Sequence, residues 1–218
     1  MASRQSLSPQ ALSRRPMTEE QAAVCRSFSS YTCYRHELID INELLVQQKV
    51  PSQTDFNGVL DYTNLVIPAI RGLAHRDDII VVAVLGVKGA TLPEDVAVPA
   101  NTRVVDFIPY DALLRFADVW VLNAGYGGFM HGVINGVPMV LGGDTEDKPE
   151  VAMRGQWAGV AHNLKTGNPT PQQVARGVEE VLSNDRYKKR VLEIKKESED
   201  LKALDVVEKH IWEYADAA

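Results

Sequence analysis

The sequence is poor in the residues that covalent cross-links and metal centres require. Its 218 residues include two cysteines, Cys25 and Cys33, which lie in a serine-rich stretch. Two thiols cannot build the disulfide framework of a small secreted domain, and their surroundings do not have Cys/His metal-site spacing. We therefore expect reduced thiols, no metal site and no bound cofactor.

Long apolar runs and an excess of positive charge are also missing. The longest apolar run, residues 79–86, is far shorter than the roughly 20 residues that a membrane-spanning helix needs. The net charge is −6, from 23 Lys+Arg against 29 Asp+Glu, so no basic surface is available to neutralise a nucleic-acid backbone.

Residues 1–18 contain arginine and serine but no apolar signal core, which favours a disordered terminus. We expect a cytoplasmic protein with no nucleic-acid partner and no integral membrane segment.

The remaining composition is that of an ordinary globular chain, at 45% hydrophobic and 24% charged residues. A length of 218 residues accommodates one domain with an extension. Residues 50–58 are rich in Pro, Ser, Asp, Asn and Gly, which is typical of a loop, and we place the domain boundary there. Residues 1–58 are expected to form a poorly ordered to helical extension without a recognisable domain, and residues 59–218 to form the domain.

Within residues 59–218, apolar runs alternate with helical patterns. The runs predict strands at 79–85, 103–107, 119–122 and 138–141. Helices are predicted at 60–73 with an interruption at Pro68, and at 111–116, 128–135, 149–157, 171–182, 187–202 and 206–214. For the helix ending at Leu182, Thr170 and Gln173 predict a capping box and Pro171 is a proline at the first helical position. The alternation predicts an α/β fold with a single doubly wound, Rossmann-like parallel sheet and helices at the C-terminus.

One strand-to-helix connection is rich in glycine. Residues 123–128 read Asn-Ala-Gly-Tyr-Gly-Gly between a strand and a helix. The first turn of a helix presents unpaired N–H groups and the positive end of the helix dipole, which suit a phosphate. The pattern matches neither the dinucleotide nor the Walker motif, so a plain tight turn is equally consistent with it.

A second loop, residues 142–150, follows the next predicted strand and concentrates acidic side chains. Carboxylates at the carboxyl edge of a parallel sheet can accept hydrogen bonds from sugar hydroxyls, although an exposed acidic loop has the same composition. A phosphate cradle beside hydroxyl acceptors together predicts a sugar nucleotide as ligand. An NAD-type oxidoreductase is disfavoured, because the dinucleotide motif is missing.

The stretch from about residue 60 to residue 164 resembles the nucleotide-sugar half of GT-B UDP-glycosyltransferases, in particular the macrolide-type and fungal branch. Four elements occur in the family's order: Phe-Ile-Pro-Tyr at 107–110, Asn-Ala-Gly at 123–125, Gly-Val-Pro at 136–138 and Asp-Lys-Pro-Glu at 147–150. The resemblance implies a GT-B C-terminal domain that binds UDP-sugar. It further implies transfer of a hexose, with inversion and without an obligatory metal, to a hydroxyl of a small lipophilic acceptor such as a secondary metabolite or sterol.

The resemblance also implies roles for individual donor-binding residues. Phe107 would lie beside the uracil and the Ile108 backbone would read its edge, with Tyr110 in place of the family's glutamine. Asn123 would replace a diphosphate-binding histidine, ahead of backbone N–H donors from the glycines. Asp147 and Lys148 would bond hexose hydroxyls. The donor-site residues implied are Phe107, Ile108, Tyr110, Asn123, Gly125, Gly127, Gly128, His131, Asp147 and Lys148.

The chain departs from the family in three further ways. His131 replaces a glutamate that accepts from the ribose hydroxyls; it either accepts one such hydrogen bond or lies on a helix face and touches nothing. The first strand of the donor half is expected to be missing, because residues 50–58 cannot form a central strand. No acceptor domain with a catalytic histidine fits in the first 58 residues, so the catalytic residues are unknown. The alternative is a non-catalytic UDP-sugar-binding half, either truncated or needing a separate acceptor-domain chain.

Overall fold

The computed structural model describes residues 61–216, with side chains as far as residue 213. The predictions made for residues 1–58, including the reduced thiols, the poorly ordered to helical extension and the missing first strand, lie outside the described residues. The described chain falls into two compact units, residues 73–108 and residues 61–72 with 109–216. Seven helices and five strands of the described residues are, in chain order, α1 Val66–Leu73, β1 Val81–Val84, β2 Thr102–Val105, α2 Tyr110–Leu114, β3 Trp120–Leu122, α3 Tyr126–Asn135, β4 Met139–Leu141, α4 Lys148–Trp157, β5 Ala161–Asn163, α5 Pro171–Leu182, α6 Asp185–Leu201 and α7 Ala203–Asp216.

The first unit is built on two parallel strands. β1 pairs with β2 in a register that sets Val81 opposite Thr102 and Val84 opposite Val105. Both strands are rich in valine, which favours the extended backbone because its branched side chain packs well on a pleated surface. The strands are shorter than the predicted runs at 79–85 and 103–107, but they occur at the predicted places.

The second unit contains a parallel sheet of three strands in the order β3-β4-β5. The central strand, β4, has all three of its residues completely buried. Helices cover such a strand on both faces, which explains its continuous apolar sequence. The outer strand β5 was not predicted, since Ala161, His162 and Asn163 form neither an apolar run nor an alternating pattern.

Two glycines each let a helix pack closely on another element: Gly132 lets α3 approach β4, and Gly72 lets α1 approach the start of α5. A Cβ atom on Gly132 of α3 would lie 2.4 Å from Sδ of Met139 in β4, so only glycine permits this helix-to-sheet distance. A Cβ atom on Gly72 would lie 2.3 Å from the carbonyl oxygen of Pro171 at the start of α5. Both of these close approaches lie within the second unit.

The prediction that Pro68 interrupts the first helix is wrong. α1 begins at Val66, so Pro68 lies in its first turn, where an N–H has no acceptor within the helix in any case. Its ring is buried and costs the helix no hydrogen bond. Proline is therefore compatible with the helix at this position.

The C-terminal helices form where local signals place them. α5 carries the predicted capping box: the Thr170 side chain accepts from the N–H of Gln173, and the Gln173 side chain accepts from the N–H of Thr170. α6 in turn supports the end of α3, because Nζ of Lys188 donates to the carbonyl oxygen of Gly136 at 2.8 Å. Burial lowers the pKa of Lys188. None of the helices in residues 61–216 is both long enough and apolar enough to cross a bilayer.

Candidate donor-binding site

Loops that follow β3, β4 and β5 touch one another at the carboxyl edge of the three-stranded sheet. The N–H of Gly142 donates to the carbonyl oxygen of Leu122 at 3.0 Å, and a Cβ atom on Gly143 would lie 2.2 Å from the carbonyl oxygen of Asn123. The carboxylate of Asp144 accepts from the N–H of Gly167 at 2.9 Å. The carboxyl edge is where open α/β sheets bind ligands, so these three loops form the candidate site.

The glycine-rich turn after β3 directs the start of α3 towards this edge. Ala124 is buried and has a left-handed backbone with φ of 63°, which turns the chain sharply after the strand. The N–H of Gly125 donates to Oδ1 of Asn123 at 3.2 Å, so the Asn123 side chain stabilises the turn. The first helical hydrogen bond of α3 runs from the N–H of Phe129 to the carbonyl oxygen of Gly125. The N–H groups of residues 126–128 thus belong to a first turn that has no acceptor for them within the helix.

Gly127 and Gly128 of that turn have different surroundings. A Cβ atom on Gly127 would meet nothing within 4 Å, whereas one on Gly128 would lie 3.0 Å from Cδ1 of Leu122. A side chain at position 128 would therefore require Leu122 of β3 to shift by a few tenths of an ångström. Gly127 leaves the space above the helix N-terminus open, as close approach of an anion to the backbone needs.

The acidic loop after β4 presents charged side chains at this edge, whereas the glycine-rich turn presents backbone N–H groups. Asp147 precedes α4, but its carboxylate makes no capping hydrogen bond to that helix. Lys148 is largely buried and forms an ion pair with Glu146, and this contact lowers the pKa of Glu146. Glu146 has a left-handed backbone with φ of 55°. Asp147 is exposed at this loop, while the ammonium of Lys148 already has a carboxylate partner.

His131 on α3 and Tyr110 at the start of α2 lie where these two helices face each other. Nδ1 of His131 is 2.9 Å from Oδ1 of Asp111, and the Tyr110 ring is 5.8 Å from the imidazole and 4.9 Å from the ring of Trp120. Burial raises the pKa of the Tyr110 hydroxyl. The alternative that His131 touches nothing is therefore wrong, while its role towards a ribose stays a prediction.

Phe107 and Ile108 belong to the first unit and directly follow β2. The carboxylate of Asp106 accepts from the N–H of Phe107 at 2.7 Å and from the N–H of Gly89, also at 2.7 Å. These hydrogen bonds lower the pKa of Asp106. Asp106 joins the loops that follow β1 and β2, and thereby holds the backbone that leads into Ile108, whose side chain is buried.

Sequence reasoning missed several residues that organise these loops. Asp106 could have been noticed, because it lies near the carboxyl end of the strand predicted at 103–107, at the expected ligand edge. Asp144 lies in the predicted acidic loop, but its contact and that of Asp111 carry no local signal, since their partners lie 23 and 20 residues away in the chain. In the described part of the chain, no group of three or more His, Cys, Asp and Glu residues could hold a metal ion.

Comparison with known families identifies a match over most of the described chain. Residues 70–210 match the family described as erythromycin biosynthesis protein CIII-like, C-terminal domain. UDP-glucosyltransferase 1 of Beauveria bassiana (strain ARSEF 2860) is 60% identical over 154 residues, which are 71% of this chain and 33% of that relative. UDP-glucosyltransferase B1 of Starmerella bombicola is 43% identical over 174 residues, which are 79% of this chain and 40% of that relative.

A solved structure shares the fold as well as part of the sequence. The glycotransferase of kitacinnamycin is 28% identical and superposes with a TM-score of 0.56, over 65% of this chain and 38% of that one. The prediction of an α/β, Rossmann-like GT-B domain is confirmed by this similarity and by the parallel sheets. The chain spans between about a third and two fifths of the length of the two curated relatives.

Proposed function

This chain belongs to the erythromycin biosynthesis protein CIII-like C-terminal domain family of GT-B glycosyltransferases, and on that premise we propose that it binds the UDP-sugar donor of a hexosyl transfer. The relatives named UDP-glucosyltransferases support uridine diphosphate as the leaving group and glucose as the first sugar to test. The acceptor is a hydroxyl of a small lipophilic molecule, such as a secondary metabolite or a sterol. We also propose a cytoplasmic location.

The observation that carries the proposal is the contact between the glycine-rich turn and the acidic loop. The two loops meet where Gly143 approaches the carbonyl oxygen of Asn123, so backbone donors and carboxylate acceptors lie at one edge of the sheet. A diphosphate needs donors, whereas a hexose needs acceptors for its hydroxyl protons. A sugar nucleotide carries both groups in covalent linkage, and it is the ligand that matches this pairing.

Each donor-binding residue has a proposed part in this arrangement. The N–H groups of Tyr126, Gly127 and Gly128 bind the diphosphate at the positive end of the α3 dipole. Asp147 and Lys148 bond the hexose, and Phe107 and Ile108 hold the uracil. Remaining donor contacts are assigned to Tyr110, Asn123, Gly125 and His131.

The reaction itself is a displacement at the anomeric carbon of the sugar. The acceptor oxygen forms the new bond to that carbon as the bond to the β-phosphate oxygen breaks, and the acceptor proton passes to a general base. Negative charge develops on the departing UDP, where the N-terminus of α3 stabilises it. Because the helix N-terminus supplies positive potential here, we propose that transfer needs neither a bound metal nor a cofactor.

A second candidate is a binding function without transfer. Both loops of the site serve donor recognition, and among residues 61–216 we assign no general base for an acceptor hydroxyl. A chain of this kind would hold UDP-sugar and require a separate acceptor-domain chain for turnover. The two candidates share the donor site and differ only in catalysis.

Calorimetric titration of the purified chain with UDP, UDP-glucose and UMP tests donor binding. We expect UDP to bind at least tenfold more tightly than UMP, because the β-phosphate is the group that the turn holds, and we expect EDTA to leave the affinity unchanged. Absence of heat with both UDP and UDP-glucose at millimolar concentration would refute the donor site.

Release of UDP from UDP-glucose in the presence of a panel of lipophilic alcohols distinguishes the two candidates. Turnover by the chain alone supports the glycosyltransferase. Binding of UDP-glucose without turnover, with activity restored by an added acceptor domain from a relative, supports the binding half.

A further inference from the structure

The imidazole of His131 is held by a hydrogen-bonded group that no sequence signal revealed. Oδ1 of Asp111 lies 2.9 Å from Nδ1 of His131 and accepts from Nδ2 of Asn135 at 2.8 Å. The same Asn135 amide also donates to the carbonyl oxygen of His131 at 2.9 Å. Asn135 therefore ties the Asp111 carboxylate to the backbone of α3, and the carboxylate in turn orients the imidazole.

This contact determines which nitrogen of His131 carries the proton. Partial burial of Asp111 acts to raise its pKa, but hydrogen bonds from Asn135 and His131 outweigh burial and lower the pKa below its ordinary value. An ionised carboxylate can only accept, so Nδ1 of the neutral imidazole must be the donor. Nε2 is then left unprotonated, with its lone pair available to a hydroxyl donor.

The position of His131 on α3 places this lone pair near the glycine-rich turn. His131 follows Gly127 by four residues, which sets both on the same side of the helix about one turn apart. Side chains in a helix lean towards its N-terminus, and the space beside Gly127 is open. The imidazole, which is 41% exposed, therefore lies on the approach to the group bound at the first turn.

We propose that Asp111 is a positioning residue that holds His131 in the Nδ1–H tautomer, so that Nε2 accepts a hydrogen bond from a ribose hydroxyl of the donor. The inference rests on the proposed donor site, because the ribose is adjacent to the diphosphate in the nucleotide. A neutral imidazole offers one acceptor, so it can serve a single hydroxyl.

Nitrogen-15 NMR of the histidine side chains tests the tautomer without any ligand. In the parent chain we expect His131 to show the Nδ1–H tautomer at a pH at which the imidazole is neutral. In Asp111→Ala the carboxylate acceptor is gone, and the spectrum shifts towards the Nε2–H tautomer. Asp200→Ala removes an exposed carboxylate from α6 and is the matched control, which we expect to leave the His131 signals unchanged. The same tautomer in parent and Asp111→Ala would overturn the role of Asp111.

Titration with UDP, 2′-deoxy-UDP and 3′-deoxy-UDP tests the hydroxyl contact. The parent is expected to bind at least one deoxy analogue about fivefold more weakly than UDP, as loss of one hydrogen bond predicts. Asp111→Ala and His131→Ala should bind UDP and that analogue equally, while retaining the preference for UDP over UMP. A purely structural role of Asp111 would instead weaken all nucleotides together.

The outcomes separate this inference from the donor site itself. If the parent binds UDP without distinguishing either deoxy analogue, or if Asp111→Ala still distinguishes them, the inference is wrong and the donor site stands. If the parent binds no UDP, the donor site and the hydroxyl contact both fail. In that case the tautomer measurement still decides whether Asp111 orients His131.

Discussion

The two strand-to-helix turns at the edge of the three-stranded sheet offer opposite chemistry. Residues 123–128, which connect β3 to α3 and include the first residues of that helix, have glycine at three positions and present backbone N–H groups. The turn between β4 and α4 carries Asp144, Glu146, Asp147 and Lys148, and it presents side chains. Parallel strands bring both turns to one edge, although their sequences have no residue type in common beyond glycine.

The difference shows how neighbouring turns divide the recognition of one ligand. Backbone donors at a helix N-terminus are placed by the helix itself, so the first turn needs only small residues. Acceptors must come from side chains, which need a frame that holds the loop. In the second turn that frame consists of the Lys148 to Glu146 ion pair and the hydrogen bond from Gly167 to Asp144.

The contact between the turns should be the most sensitive point. Gly143→Val places a side chain where the carbonyl oxygen of Asn123 lies 2.2 Å from the Cβ position. Because backbone must move, we expect a loss of about 3 kcal/mol in the free energy of unfolding, measured by urea denaturation.

Gly127→Ala is the control for this change, since its Cβ meets nothing within 4 Å. It should leave the stability equal to or slightly above that of the parent, because alanine favours a helix. Equal stability of Gly143→Val and the parent would show that the two turns do not depend on each other.

Gly127→Val tests the backbone turn alone. The side chain enters the open space above the first turn of α3, so we expect UDP, titrated by calorimetry, to bind at least tenfold more weakly while the fold persists.

Asp147→Ala tests the side-chain turn, and there we expect UDP affinity to be unchanged and UDP-glucose affinity to fall about threefold, as measured by calorimetry.

Normal UDP binding by Gly127→Val would contradict the assignment of the phosphate to this turn. Loss of UDP affinity in Asp147→Ala, as large as in Gly127→Val, would contradict the division of roles between the turns.

The smallest effect concerns pH. Lys148 lowers the pKa of Glu146 below its ordinary value of 4.5, so the unfolded chain binds a proton at a higher pH than the folded chain does. The stabilisation by this ion pair is complete above pH 4.5 and is lost as the pH falls through the folded-state pKa. Melting temperatures of the parent and Glu146→Gln should therefore differ slightly at pH 6.5 and converge towards pH 3.5.

Residues 123–125 contain no group that titrates in this range, so the glycine-rich turn should not contribute to that convergence. A difference between the parent and Glu146→Gln that stays constant over the whole range would show that the ion pair does not stabilise the loop.

Local signals predicted a large part of the fold. The capping box of Thr170 and Gln173, with proline at the next position, placed α5 correctly because all the interacting groups lie within four residues. The central strand β4 was predicted from its apolar run, since complete burial demands such a run. β5 was missed because its pairing with β4, and not its own composition, holds Ala161 to Asn163 extended.

In the candidate site, too, some features could be predicted from local sequence and others depend on tertiary packing. Asn123, the glycines of the turn and Asp147 could be selected from sequence, because a glycine-rich turn and an acidic loop each follow a predicted strand. The different surroundings of Gly127 and Gly128 could not be predicted from sequence, since they depend on whether Leu122 lies beneath the helix. For the same reason the ion pair that engages Lys148 was visible only in the folded loop.

The α/β alternation, the order of the family elements and the residue types at the two turns can all be read from the amino-acid sequence. These features follow from the periodicity of burial and from the backbone freedom of glycine, which act over a few residues. The packing of Gly143 against Asn123 and the contact between Asp111 and His131 come from tertiary folding. Such contacts join residues about 20 apart in the chain, and no local preference selects them, because they form only when the strands and helices that carry them have packed.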